Sequence, residues 1–238
     1  MVSFFTKDGF SSFAQRLATG LGLGIVFWTL FAYLPPIYFS LVLGAILLLI
    51  IIFEWKNFFN IEKLSFWLIM PLYPILPFAL LISMNQNPLY HSLLFILFII
   101  VFSFDTGSYL IGTTLGSHKI APKISPGKTW EGALGGWIFA CIGLVLVLAE
   151  LNKKASFLLI IIFSFFVCIL SLLGDLFESW LKRRAGIKDS GTLLPGHGGF
   201  LDRFDGILLT VFFFYIFRNY LIQLFDLELL SGYSKLLS

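Results

Sequence analysis

Two stretches of the chain gather side chains that could handle phosphate and a metal ion. Asp175, Glu178, Ser179 and Lys182 stand at i, i+3, i+4 and i+7, so on a helix one face carries two acids, a hydroxyl and an ammonium. Further on, Asp202-Arg203-Phe204-Asp205 sets two aspartates three apart, just after Pro195-Gly196-His197-Gly198-Gly199. Carboxylates are the hard oxygen donors that Mg²⁺ takes. Cationic side chains, and amides left open by closely spaced glycines, suit phosphate oxygens. Blander readings account for part of this. A solvated helix end explains Glu178 and Lys182, and acids at a helix N-terminus gain about 0.3–1 kcal/mol from its dipole, which explains one or both of Asp202 and Asp205. Neither reading explains Asp175, which follows the apolar run Leu158 to Leu173, nor the glycine cluster.

A second cationic stretch reads Lys123-Ile124-Ser125-Pro126-Gly127-Lys128-Thr129-Trp130-Glu131-Gly132. Gly-Lys-Thr suggests a Walker A loop, but Pro122 stands where that motif needs its first glycine, and no parallel-sheet strand precedes it. Ser125, Lys128 and Thr129 remain candidate phosphate donors of another kind of loop, while Lys119 and Lys123 serve equally as membrane-face anchors. Asp105 follows the apolar run Leu93 to Phe104 without a turn signal and shares a helical face with Ser108, Tyr109 and Gly112. An acid inside a membrane segment costs about 2.5–3.5 kcal/mol on insertion scales, so such a group is by default a functional candidate; the alternative is a helix–helix hydrogen bond.

The elements that must position these residues are membrane helices. Of the 238 residues, 58% are hydrophobic and 12% are charged, against about 25% charged in soluble domains. The apolar residues come in blocks near the ~20 residues that cross a bilayer, and runs such as Ala45 to Phe53 lack the alternation of a membrane β-barrel. The expected fold is all-α, a polytopic integral membrane bundle of about seven spans near residues 17–34, 37–53, 65–84, 89–115, 131–149, 155–182 and 204–225. It forms a single membrane domain over 1–238, with N-terminal spans to residue 84 and a motif-bearing region over 89–225. The fourth and sixth spans exceed the bilayer's need, so their polar ends should project from it. Lysine and arginine concentrate in alternate loops: Lys7 and Arg16, Lys56 and Lys63, Lys119 to Lys128, and Lys182 to Arg203, with Lys153 and Lys154 the exception. This bias places the N-terminus and those loops in the cytoplasm and the C-terminus outside. No cleavable leader is expected, because the first apolar run is long enough to stay as a span. Cys141 and Cys168 lie in apolar runs and lack metal spacing. The net charge of +3 gives no clustered basic face for nucleic acid.

The run Ser179-Trp180-Leu181-Lys182-Arg183, then Lys188-Asp189, then Leu194 through Asp205 resembles the signature of the phosphatidate cytidylyltransferase family, also called CDP-diacylglycerol synthases. Ser125 to Gly132 and Asp105 with Tyr109 also resemble family segments, so the likeness covers about residues 105–205. The resemblance implies that CTP and phosphatidate give CDP-diacylglycerol and pyrophosphate. It implies Mg²⁺ on Asp175 and Asp202, with K⁺ as a candidate second cation. It implies that Lys182, Arg183, Lys188 and Arg203 meet phosphates, and that Ser179, His197 and Gly198 belong to the substrate pocket. Asp205 and Asp105 would be further ligands or orienting groups. An enzyme of the inner cell membrane, active at its cytoplasmic face and homodimeric, is what the likeness implies. A cytidylyltransferase for another lipid phosphate, such as an archaeal ether lipid, and an ion or solute transporter with an acidic pathway are the competing readings.

Overall fold

The computed structural model describes residues 22, 24–59, 62–194 and 198–227. Its helices are α1 (24–32), α2 (Pro36–Phe58), α3 (Leu64–Gln86), α4 (Pro88–Thr114), α5 (Trp130–Glu150), α6 (Phe157–Arg184), α7 (Leu201–Ile216) and α8 (Arg218–Leu224). The protein is a helical polytopic membrane protein. Helices α2 to α6 are each long and apolar enough to cross a bilayer, and α7 with α8 makes a sixth candidate span. The start of the expected first span lies outside the described residues. At 27 and 28 residues, α4 and α6 run to about 40 Å, longer than a ~30 Å hydrocarbon core requires.

The last expected span, 204–225, needs correcting: the chain turns by 79° between α7 and α8. Arg218 gives a physical reason. Its guanidinium donates to the Tyr215 carbonyl at 2.7 Å and lies over the Tyr90 and Tyr215 rings; a straight continuation would carry this charge along the bilayer. The expected third span is also interrupted. Pro71 and Pro74 withhold backbone N–H groups, and Tyr73 leaves helical geometry at φ −153°, ψ 104°. In α2 a π-turn occupies Ile50–Glu54.

Two close helix contacts set the frame of the bundle. Along α4 and α5, a Cβ on Gly107 would lie 2.7 Å from Phe139, and one on Gly136 would lie 2.1 Å from Ser108 Oγ. Between α6 and α7, a Cβ on Gly174 would lie 2.6 Å from the Asp205 carbonyl, and one on Gly206 would lie 2.4 Å from Ser171 Oγ. Small residues let membrane helices approach where lipid provides no hydrophobic drive to associate. A buried aromatic cluster (Phe31, Phe39 and Phe98, with Phe27 against them) fills the N-terminal half, while Leu134, Ile138, Ile142 and Leu146 of α5 face outward.

The loop after α4, read from sequence only as a cationic loop, forms an antiparallel hairpin of β1 (Lys119–Ala121) and β2 (Ser125–Thr129), with Lys119 opposite Thr129 and Ala121 opposite Ser125. Arg183 at the end of α6 donates through Nε to the Ile124 carbonyl at 3.1 Å. Asn57 at the end of α2 donates to the Ser190 carbonyl at 2.8 Å. The ends of α2, α4 and α6, the hairpin and the start of α7 therefore meet at one end of the bundle. At the other, Lys153 pairs with Asp226 at 3.0 Å and Tyr90 donates to Asn219 at 2.9 Å. The dissenting Lys153 thus has an acid for a partner.

Candidate active site

At the hairpin end lies a cavity of about 420 Å³ between α4, the hairpin, α5, α6 and α7. Asp105, Ser125, Lys128, Thr129, Asp175, Asp202, Arg203 and Asp205 all line it. These residues span a hundred positions of sequence, and the two glycine contacts explain their meeting. The α6–α7 contact at Gly174 places Asp175 beside the helix that carries Asp202 and Asp205. The α4–α5 contact holds Asp105 and Ser108 next to the hairpin that feeds into α5.

Asp202 is the best-anchored acid. Its Oδ1 accepts from Lys182 Nζ at 2.7 Å, and its Oδ2 accepts from the backbone N–H groups of Ser190 at 3.0 Å and Gly199 at 2.8 Å. Gly198 adopts φ +79°, and a Cβ there would lie 2.5 Å from Asp202 Oδ2, so only glycine lets the loop close on the carboxylate. Asp175 accepts from Ser179 Oγ at 3.3 Å and forms an ion pair with Lys128, which reaches it from the hairpin. Burial opposes the Lys128 charge, but Asp175 and Asp105 outweigh it, and the lysine's pKa lies above the ordinary 10.5. Asp205 accepts from the Gly206 N–H at 2.7 Å.

Ser179, Lys182, Arg183 and Lys188 do not line the cavity. Lys182 is buried, bridging Asp202 and Glu178 Oε2 at 2.8 Å. Arg183 donates to the carbonyls of Ile124 and Ile187, tying α6 to the hairpin. Ser179 braces Asp175. Lys188 is exposed on the loop after α6. Thr129 lines the cavity, but its hydroxyl oxygen caps α5 by accepting from the Gly132 N–H at 3.1 Å. His197, with Pro195 and Gly196, lies outside the described residues.

Sequence reasoning overlooked Glu54 and Ser190. Glu54, fully buried at the π-turn of α2, accepts from Ser190 Oγ at 2.9 Å and from the N–H groups of Phe200 at 2.7 Å and Leu201 at 2.9 Å. An available signal was its position: it directly follows the apolar run ending Ile50-Ile51-Ile52-Phe53.

The donor chemistry fits a hard divalent cation. Four aspartates face one cavity with Lys128 and Arg203 as the lining cations. Among the described residues no three His, Cys, Asp or Glu side chains are already grouped as ligands. Mg²⁺ commonly binds through one or two carboxylates plus the phosphate oxygens of its substrate, and Asp175 and Asp202 are the carboxylates that would hold it here.

A membrane-embedded helical bundle with acids and cations converging on a cavity at one end defines the class: a polytopic membrane enzyme built to handle phosphate groups. A model of the cytidylyltransferase family matches residues 7–221. The phosphatidate cytidylyltransferase of Rickettsia bellii is 35% identical over 208 residues, covering 84% of this chain and 88% of its own length. Those of Brucella suis and Haemophilus influenzae are 43% and 44% identical over 133 and 137 residues, covering 49% and 46% of their own lengths. The chain belongs to the cytidylyltransferase family and is a nucleotidyltransferase. The transporter reading therefore falls, although two spans are interrupted as a transporter's can be.

Proposed function

We propose that the protein transfers the CMP moiety of CTP to phosphatidate, giving CDP-diacylglycerol and pyrophosphate. The observation that carries this reading is the convergence of Asp175 and Asp202, from separate helices, on one cavity with Lys128. A phosphate oxygen of phosphatidate attacks the α-phosphorus of CTP in line, a new P–O bond forms, and the bond to pyrophosphate breaks. The attacking oxygen is already anionic, so no strong base is needed, and the obstacle is repulsion between two polyanions. Mg²⁺ held by Asp175 and Asp202 would neutralise the triphosphate and the departing pyrophosphate. Lys128 exchanges Asp175 for a substrate phosphate, leaving the carboxylate available, and Arg203 adds positive charge at the cavity wall. Ser125 and the hairpin amides orient the nucleotide, with Asp105 and Asp205 as further orienting acids. Lys188 and Arg183, at the end of α6 and on the loop after it, add positive charge that attracts the anionic substrates, Gly198 lets that loop close on Asp202, and His197 is a further candidate for substrate contact. K⁺ is the candidate for a second cation.

In this reading the hairpin end, rich in lysine and arginine, faces the cytoplasm of the inner cell membrane, and phosphatidate enters sideways from the bilayer. Two copies associate as a homodimer, which cross-linking in membranes would reveal. The experiment is incorporation of CTP labelled at its α-phosphate into lipid, with and without Mg²⁺. Asp175→Asn and Asp202→Asn should each abolish incorporation while the protein still inserts. Near-normal turnover in either variant rejects the metal assignment. Competition with an ether-linked lipid phosphate separates phosphatidate from the alternative acceptor.

A further inference from the structure

We infer that Glu54 is a positioning residue that fixes the Asp202 carboxylate from the far side of the loop between α6 and α7. The inference rests on the functional reading above for its consequence, and on geometry for its existence.

Asp202 is oriented by three groups: Lys182 Nζ and the N–H groups of Ser190 and Gly199. Both amides belong to residues flanked by Glu54 contacts. Glu54 Oε2 holds Ser190 through its hydroxyl, and Oε1 holds the Phe200 N–H immediately after Gly199. The Leu201 N–H, at the first residue of α7, also donates to Oε2. The chain thus runs from one carboxylate, through a short stretch of loop backbone, to the other.

The start of α7 has no side-chain cap of its own, and unmet N–H groups at a buried helix end are costly. A carboxylate from α2 meets them instead. A buried acid is itself tolerable only when its oxygens are hydrogen-bonded, and Glu54 has three donors. The fit is tight: a Cβ on Gly199 would lie 2.0 Å from Ser190 Oγ and 2.6 Å from Glu54 Cδ, and one on Gly191 would lie 3.0 Å from Glu54 Cγ. Asn57, one turn further along α2, adds a bond from its side chain to the Ser190 carbonyl. The π-turn is the second independent mark, since such insertions in a helix recur at functional sites. Here it ends at Glu54 itself. A helix from the N-terminal half, outside the motif-bearing region, thereby supplies part of the catalytic scaffold.

The test uses the full chain in detergent with Glu54→Gln and Ser190→Ala, and two readouts. The first is the Mg²⁺ concentration for half-maximal CMP transfer. The second, independent of metal and substrate, is hydrogen–deuterium exchange of the segment 189–202. Groups that orient a metal ligand commonly account for about 10–100-fold in metal affinity or activity. Glu54→Gln should raise the half-activating Mg²⁺ at least about tenfold, and speed exchange in 189–202 while leaving α4 and α5 protected. Ser190→Ala should shift both readouts in the same direction by less. If Glu54→Gln does not insert, Ser190→Ala decides by the same pair. Wild-type Mg²⁺ dependence and wild-type exchange in the folded variants would overturn the inference, as would lower thermal stability with both readouts unchanged. A wild-type protein that turns over no CTP would instead remove the functional reading, and the exchange comparison would still judge Glu54.

Discussion

Lys182 Nζ lies 2.7 Å from Asp202 Oδ1 and 2.8 Å from Glu178 Oε2, so one ammonium locks the end of α6 to the start of α7. Its position between two acids makes it a structural bridge of the site, where sequence reasoning assigned it to a phosphate. Removing one partner of a buried ion pair strands the others at a cost of about 3–5 kcal/mol. Lys182→Met should therefore lower thermal stability in detergent by that order as well as abolish turnover. Adding Glu178→Gln to Lys182→Met should restore much of the stability and none of the activity, which separates the bridge from the chemistry.

The Lys128–Asp175 pair spans from the hairpin to α6. Removing one preorganised electrostatic donor from an active site commonly costs about 10²–10³ in kcat. Lys128→Met should lose that order of activity and raise the KM for CTP, and Lys128→Arg should retain a fraction. The sign of its pH effect follows from its raised pKa: stability from the pair is complete below the unfolded lysine value of 10.5 and is lost only as pH rises through the higher folded value. Stability attributable to Lys128, measured as the wild-type minus Lys128→Met difference in unfolding temperature, should stay flat through neutral pH and fall only in strong alkali.

Gly174 faces the Asp205 carbonyl closely enough that a Cβ would stand 2.6 Å from the oxygen. Gly174→Val must push α6 and α7 apart, at about 1–3 kcal/mol for overpacking. A misplacement of ~1 Å in a catalytic group can cost about 10²-fold. Turnover should fall by that order while the protein still inserts, as measured by CTP incorporation per folded molecule on size-exclusion chromatography.

Two glycines near the site should respond in opposite ways. Gly198 combines φ +79° with a Cβ position 2.5 Å from Asp202 Oδ2, whereas a Cβ on Gly127 meets nothing within 4 Å. Gly198→Ala should cost at least about 1 kcal/mol from backbone strain, and most of the activity through Asp202. Gly127→Ala, with open space around its Cβ and no positive φ, should leave stability, read from the unfolding temperature, within about 0.5 kcal/mol of wild type. Parallel assays of the pair check both.

The sequence alone determined the class of molecule and most of its chemistry. Blocks of apolar residues with few charges permit only membrane helices, because lipid leaves the backbone no other hydrogen-bond partner. Asp105 and Asp175 were legible because an acid beside or within an apolar run carries a cost that calls for a reason, and Asp202 because it stands three residues from Asp205 just after a glycine cluster. Local spacing also placed Ser179 and Lys182 on the Asp175 face, since helix periodicity is a property of the chain itself. Tertiary structure decided the partners. That Lys182 serves Glu178 and Asp202, that Thr129 caps α5, and that Arg183 ties down Ile124 depend on which elements pack together, information that neighbouring residues do not hold. Glu54 is the extreme case: its donors lie 136 to 147 positions away. At the end of α2 it resembles a solvated helix terminus until the loop after α6 folds over it. The bend at Phe217 was hidden for the same reason, because the rings of Tyr90 and Tyr215 that receive Arg218 come together only in the folded bundle.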